Sequence, residues 1–249
     1  MKTLLAAPIH KVKEYTEKNW IAHLKIIADW YGLDVVFCDN TQDDGKHAEY
    51  IRSICPENWI VLEYTPKKDE PTQSTITASQ NILRDYFLKH KQYDFLLFIE
   101  EDIYPPTNFL DRVEIERKRL NADVYNGLYF IYQGHKSTPM IQSLFVMRDK
   151  DGRLMDATTI KYEFVDIIRY YDLSQDKDLI GSDPSKVYAA GFGCSLIGRA
   201  VLEKIKFRHG GSKDAHSDSF FYEDCAFGGF SVYVDPQIIC KHDNFDWKQ

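Results

Sequence analysis

The chain has 249 residues, 44% hydrophobic and 28% charged, with 38 acidic side chains against 31 basic ones and a formal net charge of -7, so it has no broad positive field to hold a polyanion by charge alone. Its five cysteines, Cys38, Cys55, Cys194, Cys225 and Cys240, include no CxxC pair, which argues against a zinc knuckle or a disulfide framework and fits a reducing, cytoplasmic setting. No apolar run approaches the ~18 residues of a membrane span, so no integral membrane anchor is expected.

The first apolar stretch, ending at Pro8, runs quickly into Lys11, Lys13 and Glu14, and it reads as a buried strand from Thr3 to Ile9 rather than a signal peptide. Between Glu14 and Tyr31, Trp20, Leu24, Ile27 and Tyr31 recur at helical spacing, and Gly32 ends that helix. Leu33 to Cys38 is a second strand closed by Asp39 and Asn40, and Trp59 to Tyr64 a third. Ile76, Leu83 and Phe87 predict a helix over Thr75–His90, capped by Ser74 or Thr75. Tyr93 to Ile99 holds five consecutive large apolar residues, as a central strand buried on both faces requires. Phe109 to Leu120 is helical, and strands follow at Asp123–Ile131 and Gln142–Met147, with a turn at Asp149–Gly152. Lys161 to Pro184 shows no sustained period and reads as an acceptor-side insertion or a mobile flap. A helix at Ala200–Ile205 and a strand at Gln237–Cys240 complete the order. Alternating strands and helices without a linker or repeat predict one α/β domain over residues 1–249, with a central, mainly parallel mixed sheet of Rossmann type flanked by helices.

Glu100, Glu101 and Asp102 stand directly after the apolar strand, at the edge where open α/β sheets bind ligands. Adjacent acids repel one another, and a divalent cation with hard oxygen ligands, Mn²⁺ or Mg²⁺, relieves that repulsion while bridging phosphates. Pro105 and Pro106 then turn the chain away.

The run from Tyr93 to Asp102 followed by Pro105-Pro106 resembles the strand and DxD-type motif of GT-A glycosyltransferases, especially the family-two-like ones, with Glu at the first position where Asp is usual. The resemblance implies Asp102 as first metal ligand, Glu100 as supporting acid, and Glu101 among the donor-binding residues. The segment Ala78–Arg84 is similar to the helix preceding that motif: Asn81 matches, Gln80 replaces the usual Arg, and Arg84 offers a cation one turn on. Ala7, Pro8 and Asp39 end the first two strands where the resemblance puts the nucleotide base. Gly191 and Gly193 lie in a Gly-rich strand expected beside the donor sugar. In Phe220–Asp224 the resemblance carries the base that deprotonates the acceptor to Asp224, with Glu223 as substitute, at a helix N-terminus. His242, after Asp235-Pro236 and the last strand, is the expected late metal ligand.

The resulting expectation is a metal-dependent hexosyl- or pentosyltransferase. It would move sugar with inversion from a nucleotide-diphosphate sugar, UDP-sugar favoured, to a hydroxyl of a glycan, protein, lipid-linked sugar or modified nucleic-acid base. The amino-terminal part would bind the donor and the carboxyl-terminal part the acceptor. Two rivals are a nucleotidyltransferase, for which no Gly-rich basic loop follows the first strand, and a noncatalytic sugar- or nucleotide-binding module.

Overall fold

The computed structural model describes residues 1–133, 136–139, 183–187, 189–210 and 216–243. Strand β1 (Thr3–Ile9) is flanked by β2 (Asp34–Asp39) and β4 (Phe95–Ile99), both parallel to it. With neighbours on both edges and helices on both faces, β1 and β4 are apolar along nearly their whole length. Alternate residues of β1 feed two cores. Leu5 and Ala7 pack with Trp20, Leu24 and Ile27 of α1 (Glu14–Tyr31), and Leu4 and Ala6 with Leu83 and Phe87 of α3 (Thr72–Lys89). Gly32 ends α1 at φ 62°, a left-handed turn in which Leu33 N–H reaches Ala28 O at 2.9 Å. Strand β3 (Ile60–Glu63) lies outside β2, with only Val61 buried.

The second half departs from the simple alternation. After β5 (Ile103–Tyr104) and α4 (Phe109–Leu120) come β6 (Val124–Gln133), β7 (Lys136–Pro139), β8 (Ser185–Val187) and β9 (Cys194–Gly198). Helices α5 (Arg199–Lys204) and α6 (Ser217–Phe227) and strand β10 (Val232–His242) close the described chain. The sheet order is β3-β2-β1-β4-β9-β6-β10-β5, with β7 on β6 and β8 on β10. Strand β9 runs antiparallel between β4 and β6, interrupting an otherwise parallel run. At the far edge β5 pairs with β10 so that Ile103 faces His242, and Asp243 N–H donates to Asp102 O at 2.8 Å. A residue near the end of the chain is thereby brought to the acidic turn after β4.

Several elements differ from the sequence expectation. Helix α3 starts at Thr72, after Pro71, so Ser74 and Thr75 lie inside it: the Ser74 hydroxyl donates to Glu70 at 2.6 Å and Thr75 N–H to Pro71 O at 3.1 Å. Strand β10 continues through Pro236, which has no N–H to give, by means of a register shift between Asp235 and Ile239. Asp235, fully buried at that bulge, accepts from Arg112 Nε and Tyr125 OH, each at 2.6 Å, and from Gln237 N–H at 3.0 Å. The expected strand Gln142–Met147 and turn Asp149–Gly152 lie outside the described residues, as does all but the end of Lys161–Pro184.

Helix α2 (Lys46–Ile54), which the sequence pattern did not announce, is joined to the sheet by a buried polar chain. His47 Nε2 stands 2.6 Å from Glu17 of α1, and its Nδ1 stands 2.9 Å from Asp39 at the end of β2. Burial alone would lower the His47 pKa, but hydrogen bonds to Asp39 and Glu17, and their charge, carry it up to about 10.

Two outcomes are expected. Arg112→Ala leaves the Asp235 carboxylate with one cation fewer and lowers stability by about 2 kcal/mol in urea unfolding. The folded pKa of His47 lies above its unfolded value of 6.5, so its stabilisation is complete below that pH and is lost as pH rises towards about 10. The wild-type urea midpoint therefore falls between pH 7 and pH 10, more steeply than that of His47→Gln.

Candidate active site

The acidic residues form a tight turn at the carboxyl end of β4. Glu100 N–H donates to Gly193 O and Ile103 N–H to Glu100 O, both at 3.0 Å. The Asp102 side chain is 1% exposed; its Oδ2 lies 2.8 Å from Lys13 Nζ and 3.3 Å from His242 Nε2. Burial would raise the Asp102 carboxyl, but His242 and Lys13 outweigh it and hold the pKa below the ordinary value.

His242 Nδ1 stands 2.7 Å from Phe130 O, a pure acceptor, so Nδ1 carries a proton and donates it. The other nitrogen therefore confronts Asp102 with a lone pair or with a second proton. Two lone-pair atoms 3.3 Å apart need positive charge beside them, which a proton on Nε2, the Lys13 ammonium or a metal ion supplies. The separation suits a cation, since neighbouring corners of an octahedron with ~2.1 Å bonds are ~3 Å apart. The structure thus unites Asp102 and His242, as expected. Glu100 is nearby but does not complete the set: among the described residues no three His, Cys, Asp or Glu side chains gather at metal-binding distance. Burial lifts Glu100 to about 7, with Lys13 and His242 opposing and Asp102 and Asp218 adding to the rise.

Glu101 points into the scaffold rather than towards a donor. Its Oε2 accepts from His10 N–H at 3.0 Å, while its Oε1 and Oε2 of Glu17 have no donor partner. Burial, then contact with Glu17, raises the Glu101 carboxyl well above its usual value. Asp39, expected at the nucleotide base, belongs to the same buried chain: Oδ1 accepts from Thr41 N–H at 3.0 Å and faces His47. Ala7 is fully buried and Pro8 half-buried at the end of β1, in register with Phe37 and Cys38.

The opposite wall comes from β6, β9 and α6. A Cβ on Gly193 would collide with the Tyr129 ring, so only glycine lets that ring lie against the turn into β9. Gly191 O is 3.4 Å from the hydroxyls of both Ser195 and Tyr222. Asp218, half-buried in the first turn of α6, is close enough to Glu100, Tyr129 and Tyr222 to help raise the pKa of each. Burial raises the Asp218 carboxyl as well.

Other expected residues are not drawn into this cluster. Glu223 and Asp224 lie in the second half of α6, not at a helix N-terminus, and clamp Arg208 at 2.7 and 2.8 Å. They are five and six residues beyond Asp218, hence ~8–9 Å further along the axis. Asn81 spends its amide on the Phe207 backbone, donating to O at 2.9 Å and accepting from N–H at 3.1 Å. Arg84 Nε donates to Leu202 O and Ile205 O at 2.8 Å, tying α3 to the end of α5. Lys13, Tyr129 and Asp218 were missed from sequence. For Asp218 a signal existed, because Ser217-Asp218 opens a three-turn segment ending before Gly228-Gly229 and an acid suits a helix's first turn.

No protein-family model matches the chain, and no curated protein sequence does. Solved structures do. A197 from STIV aligns with a TM-score of 0.50 at 17% identity, over 98% of this chain and 86% of that one. S. aureus TarS 1-349 in complex with UDP-GlcNAc gives 0.51 at 14% identity, over 97% of this chain and 58% of that one. Its complex with UDP gives 0.51 at 14%, over 98% and 61%. The chain thus spans about three fifths of the TarS fragment. At these identities the likeness concerns the fold: an α/β domain with a mostly parallel sheet flanked by helices, consistent with the Rossmann-like GT-A architecture.

Proposed function

We propose that this protein is a glycosyltransferase that moves a sugar from a UDP-sugar to an acceptor hydroxyl with inversion, using a divalent cation. The carrying observation is the convergence of Asp102 and His242, far apart in sequence, at the carboxyl edge of the sheet, with Asp218 near enough to Glu100 to raise its pKa. The fold is one shared with glycosyltransferases, and the TarS structures in complex with UDP and UDP-GlcNAc support a uridine nucleotide as the donor's leaving group.

Asp102 and His242 Nε2 would hold Mn²⁺ or Mg²⁺, with Glu100 as supporting acid. The bound ion would neutralise charge on the departing diphosphate. The chain's own residues do the rest. The missing Cβ of Gly193 is taken up by the Tyr129 ring, which walls this side of the acidic turn. Asp218 replaces Asp224 and Glu223 as the base, since Arg208 occupies those two. The acceptor oxygen attacks the anomeric carbon, the bond from that carbon to the phosphate oxygen breaks, and the hydroxyl proton passes to Asp218. A carboxylate with a raised pKa retains that proton better at neutral pH than an exposed one.

Incubation with a panel of nucleotide sugars and Mn²⁺ is expected to release UDP slowly from one UDP-sugar even without acceptor. Release of pyrophosphate instead would identify a nucleotidyltransferase and overturn the reading. With donor and acceptor in hand, Asp218→Asn is expected to lower kcat by about 10³-fold with little change in UDP affinity. Asp102→Ala is expected to abolish metal-stimulated turnover; undiminished stimulation would remove the metal assignment. Because Asp218 acts deprotonated and its pKa is raised, kcat/KM rises with pH through an apparent pKa above the ordinary carboxylate value.

A further inference from the structure

Lys13 places an ammonium inside the acidic turn. Its Nζ is 2.8 Å from Asp102 Oδ2, the same oxygen that His242 Nε2 faces at 3.3 Å. The side chain remains 17% exposed, so it borders open space rather than sealed core. Its backbone belongs to the short 3-10 turn Lys11–Lys13, just after β1, with Lys13 N–H on His10 O at 2.9 Å. That turn stands beside the strand ends that carry Ala7 and Pro8, on the side assigned to the donor nucleotide. A divalent ion bound to Asp102 Oδ2 would meet this ammonium at close range, and two cations on one carboxylate oxygen repel.

We infer that Lys13 is a built-in counter-ion: it neutralises the acidic turn while no metal is bound, and it yields Asp102 to the divalent cation when the donor arrives, turning its ammonium to the donor diphosphate. The inference rests on the reading of the site given above. Without a cation the buried Asp102 carboxylate would stand uncompensated beside Glu100; the lysine compensates it. A point charge on a flexible four-carbon stem suits an exchange of partners, which the planar fork of an arginine would resist. The exchange couples the two ligands. Metal alone must displace the ammonium from Asp102 with no compensation, whereas metal together with a diphosphate gives the displaced ammonium a new anionic partner. Lys13 is therefore a positioning residue with opposite effects on the two binding events.

The test measures Mn²⁺ binding from the electron paramagnetic resonance signal of the free ion, and UDP binding by calorimetry, on the full chain. Two neutral variants, Lys13→Gln and Lys13→Met, are used so that either one that folds suffices. Without nucleotide, the neutral variant is expected to bind Mn²⁺ at least about tenfold more tightly than wild type. At saturating Mn²⁺ it is expected to bind UDP about tenfold more weakly. Lys13→Arg, which keeps the charge, should stay within about threefold of wild type for Mn²⁺ alone. If the neutral variant binds Mn²⁺ no more tightly than wild type while Asp102→Asn abolishes binding, the inference is overturned and the metal site stands. If neither wild type with UDP nor the neutral variant retains Mn²⁺, the inference and the metal reading fall together.

Discussion

Three carboxylates on consecutive residues, packed at the end of a buried strand, form the constraint to which much of this molecule answers. Left together in a low-dielectric site they would repel strongly, so the fold sends each to a different solution. Asp102 takes the ammonium of Lys13 and the imidazole of His242. Glu101 turns inward, accepts from the His10 backbone and lies against Glu17, which in turn meets His47. Glu100, carried up to about 7 by burial, feels Asp102 and Asp218 on one hand and Lys13 and His242 on the other. The concentration of charge is tolerated because two of the acids have been tied into scaffold or ion pair and the third is poised to change its protonation.

The sheet topology makes this possible. Parallel strands β1, β2 and β4 bring their carboxyl ends to one edge, the general placement for ligands in open α/β sheets. The antiparallel β9 enters from that edge, so the residues before it, Gly191 to Gly193, lie beside the acids instead of at the far end. The pairing of β5 with β10 then delivers His242 to Asp102 from the opposite end of the sequence. Each arrival depends on a local device: the bulge at Pro236 with its buried Asp235, the missing Cβ of Gly193, and the φ 62° turn at Gly32.

The parts legible in the sequence were those written as long, consistent patterns. Five large apolar residues in β4 announce a strand covered on both faces, and Trp20, Leu24 and Ile27 announce α1. The approach of His242 to Asp102 followed from the order of motifs. The short helix α2 was not legible, because a nine-residue segment rich in polar groups is stabilised by a buried His47 whose partners come from α1 and β2. The register of α6 was also hidden. Both Asp218 and the Glu223-Asp224 pair are acids near an aromatic cluster, and only the structure shows that Arg208, from the loop before the helix, binds the second pair. Lys13 was passed over since a lysine in a short polar turn is ordinarily a solvated side chain. Its value comes from a contact across 89 positions of sequence, which no local pattern encodes.

Anomalous scattering at the manganese edge, from crystals grown with UDP and Mn²⁺, examines the convergence of these residues around a cation without reference to turnover. The account predicts one strong peak within bonding distance of Asp102 and His242 Nε2, next to the β-phosphate of UDP. A nucleotide bound at this edge with no peak there, or a peak elsewhere in the molecule, would contradict it.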